Sequence, residues 1–450
     1  MNIQTLLRPL AALSLLATLP TGAVAAMPGA DEVHTTTLAN GMQVIVWPDR
    51  DIPNVAFYNW VRVGSRNEAP GITGLAHFFE HMMFNGTAKR RQGQFDEEME
   101  AAGGANNAFT STDVTVYTNW FPRSALEVVF ELEGDRLANL AFEPGVVESE
   151  RGVVLSERRF AVDDNNPRFL SEQVQGTAFV AHPYNIPVIG WPSDIQSWRM
   201  QDLQAFFDAY YAPVNCVVVV VGDVSPEEVF ELARRHLGTV PARDPPPQVR
   251  TREPEQLGER RVRVQRRAQT PLVQFAYKAP PASDPRAAAI SLLSIILAEG
   301  NASRLHRSLV EEQKLAVAID SYWQEGFDPG LLWFQATLPA GADPARFETA
   351  FDEQVRRIVE DGITPAELER ARNLHEAAFW QQAATIRGKA LLLGSHAVLH
   401  GEHRKLFEVP ARIAAVTTAD VQALARELLD PRRRTVGVLV PAAAAAGEEG

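Results

Sequence analysis

Gly74-Leu75-Ala76-His77-Phe78-Phe79-Glu80-His81-Met82-Met83-Phe84 is an apolar run with three polar residues set into it. On a helix, residues three and four apart share a face, so His77 and His81 point the same way and Glu80 projects beside them. Two imidazoles one turn apart can grip one metal ion, and an adjacent carboxylate can handle the proton of a bound water. This is the zinc-hydrolase spacing in its inverted order, H-x-x-E-H. Taken alone, such a pattern also arises by chance, and histidines on an apolar helix are more often packed core than ligands. The rest of the chain decides between these readings.

A second carboxylate-bearing segment lies downstream. Glu143 to Arg159 reads as a helix on which Glu150 and Glu157, seven positions apart, share a face. Val153, Val154 and Leu155 predict that the helix is partly buried, where carboxylates are costly unless paired or bound to metal. For the pair alone, with Arg151, Arg158 and Arg159 nearby, a solvated charged face is the plainer reading.

The 450 residues are 46% hydrophobic and 22% charged, values of an ordinary globular chain long enough for two domains. A net charge of −13 and the lack of a basic stripe argue against a nucleic-acid partner. Residues 1–25 read as a signal peptide: a weakly positive start to Arg8, an apolar stretch Leu10 to Leu19, and the small-x-small site Ala23-Val24-Ala25. The apolar stretch is too short to span a bilayer comfortably, so no stable membrane insertion is expected. The expected location is the periplasm, or beyond it by secretion. The single cysteine, Cys216, sits in an apolar run and reads as core rather than as a disulfide partner.

Residues 30–242 are expected to form an N-terminal domain. Asn40-Gly41 predicts a hairpin turn ahead of a strand at Val44 to Trp47, and Val55 to Val63 a second strand. The motif helix should run from Gly71 or Thr73 to Phe84, followed by helices over Phe95 to Ala102 and Ser124 to Asn139. Ala105 to Tyr117 reads as one exposed, extended stretch, Asp202 as a helix cap, and Cys216 to Val221 as a buried strand. Residues 243–260, rich in proline and charge, read as a linker. Residues 261–441 then repeat the order of elements, with strands at Leu272 to Tyr277 and Leu331 to Leu338. Thr418 to Leu429 with Thr435 to Val440 echoes Asp202 to Val221. Their apolar helix Ala287 to Leu297 carries no histidine, so only the first half is expected to hold metal. Residues 442–450 read as a disordered tail.

Together these residues resemble the pitrilysin family of zinc metallopeptidases, the inverzincins, and within it the bacterial relatives of the mitochondrial processing peptidase. The likeness spans nearly the whole mature chain. It rests on Gly64-Ser65-Arg66, on Gly74 to Thr87, on Asn107-Ala108-Phe109-Thr110 and on Asp113 to Tyr117. Glu150-Arg151-Gly152-Val153-Val154-Leu155-Ser156-Glu157, Tyr211 to Asn215 and Val221-Gly222-Asp223 complete it. The resemblance implies an α+β fold of two homologous halves, each a mostly antiparallel sheet backed by helices. It implies one Zn2+ per chain held by His77, His81 and Glu157, with Glu80 as the base that activates a zinc-bound water. Glu150 matches an accessory catalytic glutamate that does not bind metal directly. Asn107, Ala108 and Thr110 match the edge strand on which a peptide or unfolded polypeptide substrate is laid.

The chain departs from the family at one place. Self-sufficient members carry an arginine and a tyrosine, seven positions apart, in the second half. Here Val310 and Val317 stand at the matching positions, and neither can donate a side-chain hydrogen bond. Arg304 and Arg307 are near but have Glu311 and Lys314 seven positions on, and Tyr322 is the residue that could substitute. The expectation is therefore an exported zinc endopeptidase that is one subunit of a heterodimer with a related chain lacking H-x-x-E-H, a homodimer being the lesser alternative. The rival reading is a non-catalytic peptide-binding or assembly subunit that retains the zinc site.

Overall fold

The computed structural model describes residues 27–442. The expected signal segment, and the expected tail apart from Ala442, lie outside the described residues. Two sheets organise the chain. The first contains β1 (His34–Thr37), β2 (Gln43–Pro48), β3 (Asn54–Val61), β4 (Ala105–Thr110), β5 (Thr115–Pro122) and β6 (Cys216–Gly222), in spatial order β1-β2-β6-β3-β5-β4. The second contains β7 (Arg260–Arg266), β8 (Leu272–Lys278), β9 (Ala318–Trp323), β10 (Leu331–Thr337) and β11 (Arg434–Pro441), in order β7-β11-β8-β10-β9.

In each sheet one pair is parallel, β2 with β6 and β7 with β11, and every other pair is antiparallel. Without β1 the two orders match strand for strand. The repeated element order read in the sequence is thus a repeated topology, two halves with a mostly antiparallel sheet backed by helices. The first half carries α1 (Leu75–Met82), α2 (Gln94–Ala101), α3 (Leu126–Asn139), α4 (Pro144–Arg158), α5 (Asn166–Ala178), α6 (Pro192–Ser197), α7 (Met200–Tyr210) and α8 (Pro226–Leu232). The second carries α9 (Ala287–Ala298), α10 (Pro344–Asp361), α11 (Pro365–Ala383), α12 (Ile386–Val398), α13 (Val409–Ala415) and α14 (Thr418–Leu428).

Local chemistry accounts for most of these elements. The wholly apolar β6 is buried along its length at the centre of its sheet, whereas the polar, alternating β4 lies at the edge. Ser225, Asp343 and Thr364 each cap a helix whose first residue is proline. Two expectations need correction. The stretch from Ala105 to Tyr117 is not one extended segment but a hairpin, because Ser111 donates its N–H to the Val114 carbonyl and turns the chain back. Asp202 is not the residue that starts its helix. It sits in the first turn of α7 and reaches back to accept from the Arg199 N–H. The segment read as a linker carries no helix or strand before Arg260 and is anchored midway, where Glu253 accepts from the N–H groups of Val180, Ala181 and His182.

The two halves cover one another's sheets. From the first half, Leu170, Val174 and Ala178 of α5 pack on Leu272, Ala276, Trp333 and Leu439 of the second sheet. From the second half, Phe379 of α11 and Ala390 and Leu393 of α12 pack on Trp47, Tyr58, Trp60 and Val219 of the first. Glycine permits both close approaches: a Cβ at Gly394 would overlap the Trp60 indole, and one at Gly437 the Val174 side chain. A buried polar seam also joins the halves. Arg66 bonds Asp113 at 3.3 Å and Asp328 at 2.5 Å, His182 Nε2 lies 3.1 Å from Asp328, and the Tyr184 hydroxyl donates to Asp113.

Candidate metal centre

The motif helix α1 is short and deeply seated. Leu75, Ala76, Phe78, Phe79 and Met82 are buried, which fixes the helix, while His77 and Glu80 line a cavity of about 720 Å³ between the halves and His81 follows His77 by one turn. Glu68 sets its start, accepting from the Gly74 and Ala76 N–H groups at 2.7 Å each. A carboxylate at these free amides complements the helix dipole. Nothing in the spacing of Glu68 to the motif distinguishes it in the sequence.

Helix α4 lies against α1 and delivers both glutamates to His81. Glu150 Oε1 is 2.7 Å from His81 Nδ1, while Glu157 Oε2 is 3.3 Å from His81 Nε2 and 3.6 Å from His77 Nε2. The seven-residue spacing therefore places one carboxylate on each nitrogen of the same imidazole. The arginines of α4 do not neutralise these glutamates. Arg151 bonds the Ile195 and Trp198 carbonyls, and Arg158 bonds Glu172 and the Gly190 carbonyl. Among the described residues, His77, His81 and Glu157 form the group whose donor atoms all lie within 4.8 Å of one another.

Electrostatics separate the two histidines. Burial, and then the neighbouring His81, push His77 down to about 4, so its imidazole is neutral near pH 7. Burial also works against charge on His81, but its bonds to Glu150 and Glu157 outweigh it and raise the group to about 9. The same bonds to His81 hold Glu150 and Glu157 below the ordinary carboxylate range. Glu150 can only accept, so it keeps the proton on His81 Nδ1 and leaves Nε2 facing Glu157. Two Nε2 atoms and one carboxylate oxygen are a donor set suited to a divalent zinc ion, which competes with protons for them. Among the described residues His77 Nδ1 finds no hydrogen-bond partner.

Glu80 is adjacent but differently held. Burial raises its pKa, partly offset by the Thr110 hydroxyl, which donates to Glu80 Oε2 at 2.6 Å. Thr110 belongs to β4, so the strand expected to carry substrate also orients this carboxylate. Asn107 turns its Oδ1 onto the Ala108 N–H. Asn85, outside the five-residue motif, donates to Glu150 Oε2 at 3.0 Å and to the His81 carbonyl at 3.1 Å. Its position four residues after His81, just past the end of α1, is the signal that could have singled it out. The cavity is closed from the other side by Arg168 of α5 and by Tyr322 and Gln324 of the second half. Val310 and Val317 stand elsewhere, Val310 against the second-half core and Val317 59% exposed. Arg304 is held by Glu367 and the Gly362 carbonyl, away from the cavity.

Comparison with known proteins agrees with this architecture. Residues 48–191 match the family model of insulinase, peptidase family M16, and residues 197–374 match that of the peptidase M16 inactive domain. The chain is 30% identical over 418 residues to the zinc protease PqqE of Helicobacter pylori, covering 91% of this chain and 93% of that protein. It is 31% identical to an uncharacterised zinc protease of Mycobacterium tuberculosis, over 90% of this chain and 92% of the relative. The crystal structure of a protease from Helicobacter pylori superposes with a TM-score of 0.88 at 29% identity, over 91% of this chain and 99% of that one. The chain belongs to the insulinase family of peptidases, family M16, with a segment of the peptidase type followed by one of the inactive type.

Proposed function

We propose that the chain is a zinc-dependent endopeptidase that cleaves peptides or unfolded segments after export. The observation that carries the reading is the convergence of His77, His81 and Glu157 beside Glu80, beneath the free edge of β4. His77, His81 and Glu157 would hold one zinc ion, which when bound supplies Lewis acidity and lowers the pKa of water to about 7. Glu150 and Asn85 orient His81. Glu80 accepts the proton of the attacking water and passes one to the leaving amine, a contribution of roughly 10²–10⁴-fold. The free main-chain groups of β4 pair with an extended substrate, a mode that asks little of its sequence. Glu80→Gln should keep zinc and fold while cleavage of a fluorogenic peptide falls by about 10²–10⁴-fold. Undiminished cleavage would refute the role of Glu80. A chain that binds zinc yet never cleaves would point instead to a peptide-binding or assembly subunit.

The partner follows from the second half. Val310 and Val317 bring no donor to the cavity, which supports a heterodimer in which a related chain supplies an arginine and a tyrosine. Tyr322 and Arg168 line the metal cavity and support the opposite reading, a chain complete by itself. Purified mature chain, assayed alone and co-expressed with a related chain, separates the two: activity only in the pair favours the heterodimer, and full activity alone removes the need for it.

A further inference from the structure

The topological repeat has a consequence for the space between the halves. The metal cavity is bounded by α1, by β4 and by the first-half helices α4 and α5. A second cavity, about 700 Å³, is bounded by their counterparts in the repeat: α9, β9 and the helices α11 and α12. It is the second half's version of the metal cavity, though among the described residues no metal-ligating group is drawn together there. The two adjoin, since Phe109, Ser111 and Glu325 line both.

Strand β4 separates the two cavities by its faces. Thr110 points to Glu80, whereas Phe109, 39% exposed, points to the opposite face and meets Trp60 edge-on at 6.2 Å. The Ser111–Val114 turn bond sets the ladder, so Phe109 and Asn107 bond to β5 while Ala108 and Thr110 turn their main-chain groups to the free edge. The Ala108 N–H accordingly goes to a side-chain oxygen rather than to β5. A peptide laid on this edge alternates its side chains between the two faces. A residue opposite Thr110 faces the metal cavity, and its neighbour opposite Phe109 faces the second cavity.

We propose that the second cavity is the subsite for a large apolar side chain, aromatic or branched aliphatic, on the substrate residue next to the one beside the metal. The reading rests on the proposed binding of peptide to β4. Trp60, Phe109, Trp323 and Phe379 supply aromatic walls. The charged groups on the lining balance, Glu299 and Glu325 against Lys405 and Arg412. Burial keeps His375, His396 and His400 below the ordinary imidazole range, His396 at about 4. The cavity therefore offers a neutral occupant apolar contact and gives a charged one no net partner. Its volume exceeds that of one aromatic side chain, which tolerates Phe, Tyr, Trp or Leu alike.

The test uses the zinc-loaded full mature chain carrying Glu80→Gln, which separates binding from cleavage. Fluorescein-labelled extended peptides of alanine, threonine and glycine, with or without one central phenylalanine, are titrated by anisotropy. Burying one phenylalanine should tighten binding by about tenfold or more. Ser395→Trp on α12 and Ser291→Phe on α9 fill the cavity from two different helices and should each bring the ratio of the two affinities near one. Circular dichroism and zinc content identify a variant that fails to fold, in which case the other decides. A ratio near one in the parent, a high ratio surviving both fillings, or no binding of either peptide overturns the subsite. Cleavage by the unmutated chain is measured separately. If it never cleaves while the ratio behaves as expected, the peptidase reading fails and the subsite stands. If it cleaves without preferring large apolar residues at that position, the subsite alone fails.

Discussion

Glu150 and Glu157 leave the same face of α4 and reach the same imidazole, but on different nitrogens, and this predicts different consequences for their removal. Glu150 Oε1 lies 2.7 Å from His81 Nδ1, and its side chain is 13% exposed, so solvent screens the bond little. A hydrogen bond to a charged group contributes about 1.5–3 kcal/mol. If that bond holds the imidazole in place for metal, Glu150→Ala weakens zinc binding by about 10–100-fold, the usual effect of losing an outer partner of a ligating histidine. Glu150→Gln keeps one accepting oxygen but loses the charge, and should weaken binding by about tenfold or less. Glu157 Oε2 sits between both Nε2 atoms, so Glu157→Ala removes a donor outright and should cost more than Glu150→Ala. Competition with a chromogenic chelator measures all three affinities, with melting temperature as the check on fold. Equal affinity in Glu150→Ala and the parent, or a larger loss from Glu150→Ala than from Glu157→Ala, would refute this assignment of roles.

Two further perturbations test how the halves are joined. Burial, against the attraction of Glu253, lowers Lys278 from 10.5 to about 8, so the unfolded chain binds more protons between those values and stability should rise with pH across that window. At pH 7 the buried ammonium costs on the order of 3 kcal/mol, so Lys278→Met should raise the melting temperature there and flatten the rise above pH 8, as calorimetry against pH would show. Asp328, held below the ordinary range by His182, burial notwithstanding, and by Arg66, contributes stability that is present above the usual aspartate pKa and lost as pH falls through its folded value. Asp328→Asn should cost about 1–3 kcal/mol at pH 7 and show a shallower acid limb in denaturant titrations; an unchanged midpoint would remove this bond from the seam.

What could be read from the chain alone divides by range. Spacing along one helix is local, so His77, Glu80 and His81, and the shared face of Glu150 and Glu157, were legible as geometry before any fold was known. Buried strands such as β6 announced themselves by composition. Strands β7 and β9 did not, since Arg260 to Arg266 is mostly charged and Ala318 to Trp323, although its burial alternates in the structure, shows no polar–apolar alternation in its sequence. The hairpin of β4 and β5 was missed because Thr112-Asp113 is not one of the glycine-bearing turns that mark two-residue loops. Residues brought in from afar carried little local sign, Tyr322 being marked only as a possible substitute for the missing tyrosine. Glu68 acts through backbone amides, and Tyr322 and Arg168 come to the cavity only because α5 and β9 lie across the boundary between the repeats.

The same crossing explains why a half without metal ligands would be kept. The first sheet buries Trp47, Tyr58, Trp60, Val217, Val219 and Val221 on the face that α11 and α12 cover. Removing the second half would expose that face as one apolar patch with two indoles, larger than a stable monomer usually presents to water. It would also leave Leu170, Val174 and Ala178 of α5 without the sheet they pack on. Residues 30–242 expressed alone should therefore aggregate, or remain expanded with strong binding of a hydrophobic dye, even though they contain every expected zinc ligand. Co-expression with residues 243–441 as a separate chain should restore a soluble, zinc-binding complex, because the two packings and the Arg66–Asp328 bond reform between fragments. A soluble monomer of 30–242 that unfolds cooperatively would show that the first half folds by itself, and the second would then have to be retained for what it does to substrate rather than for what it covers.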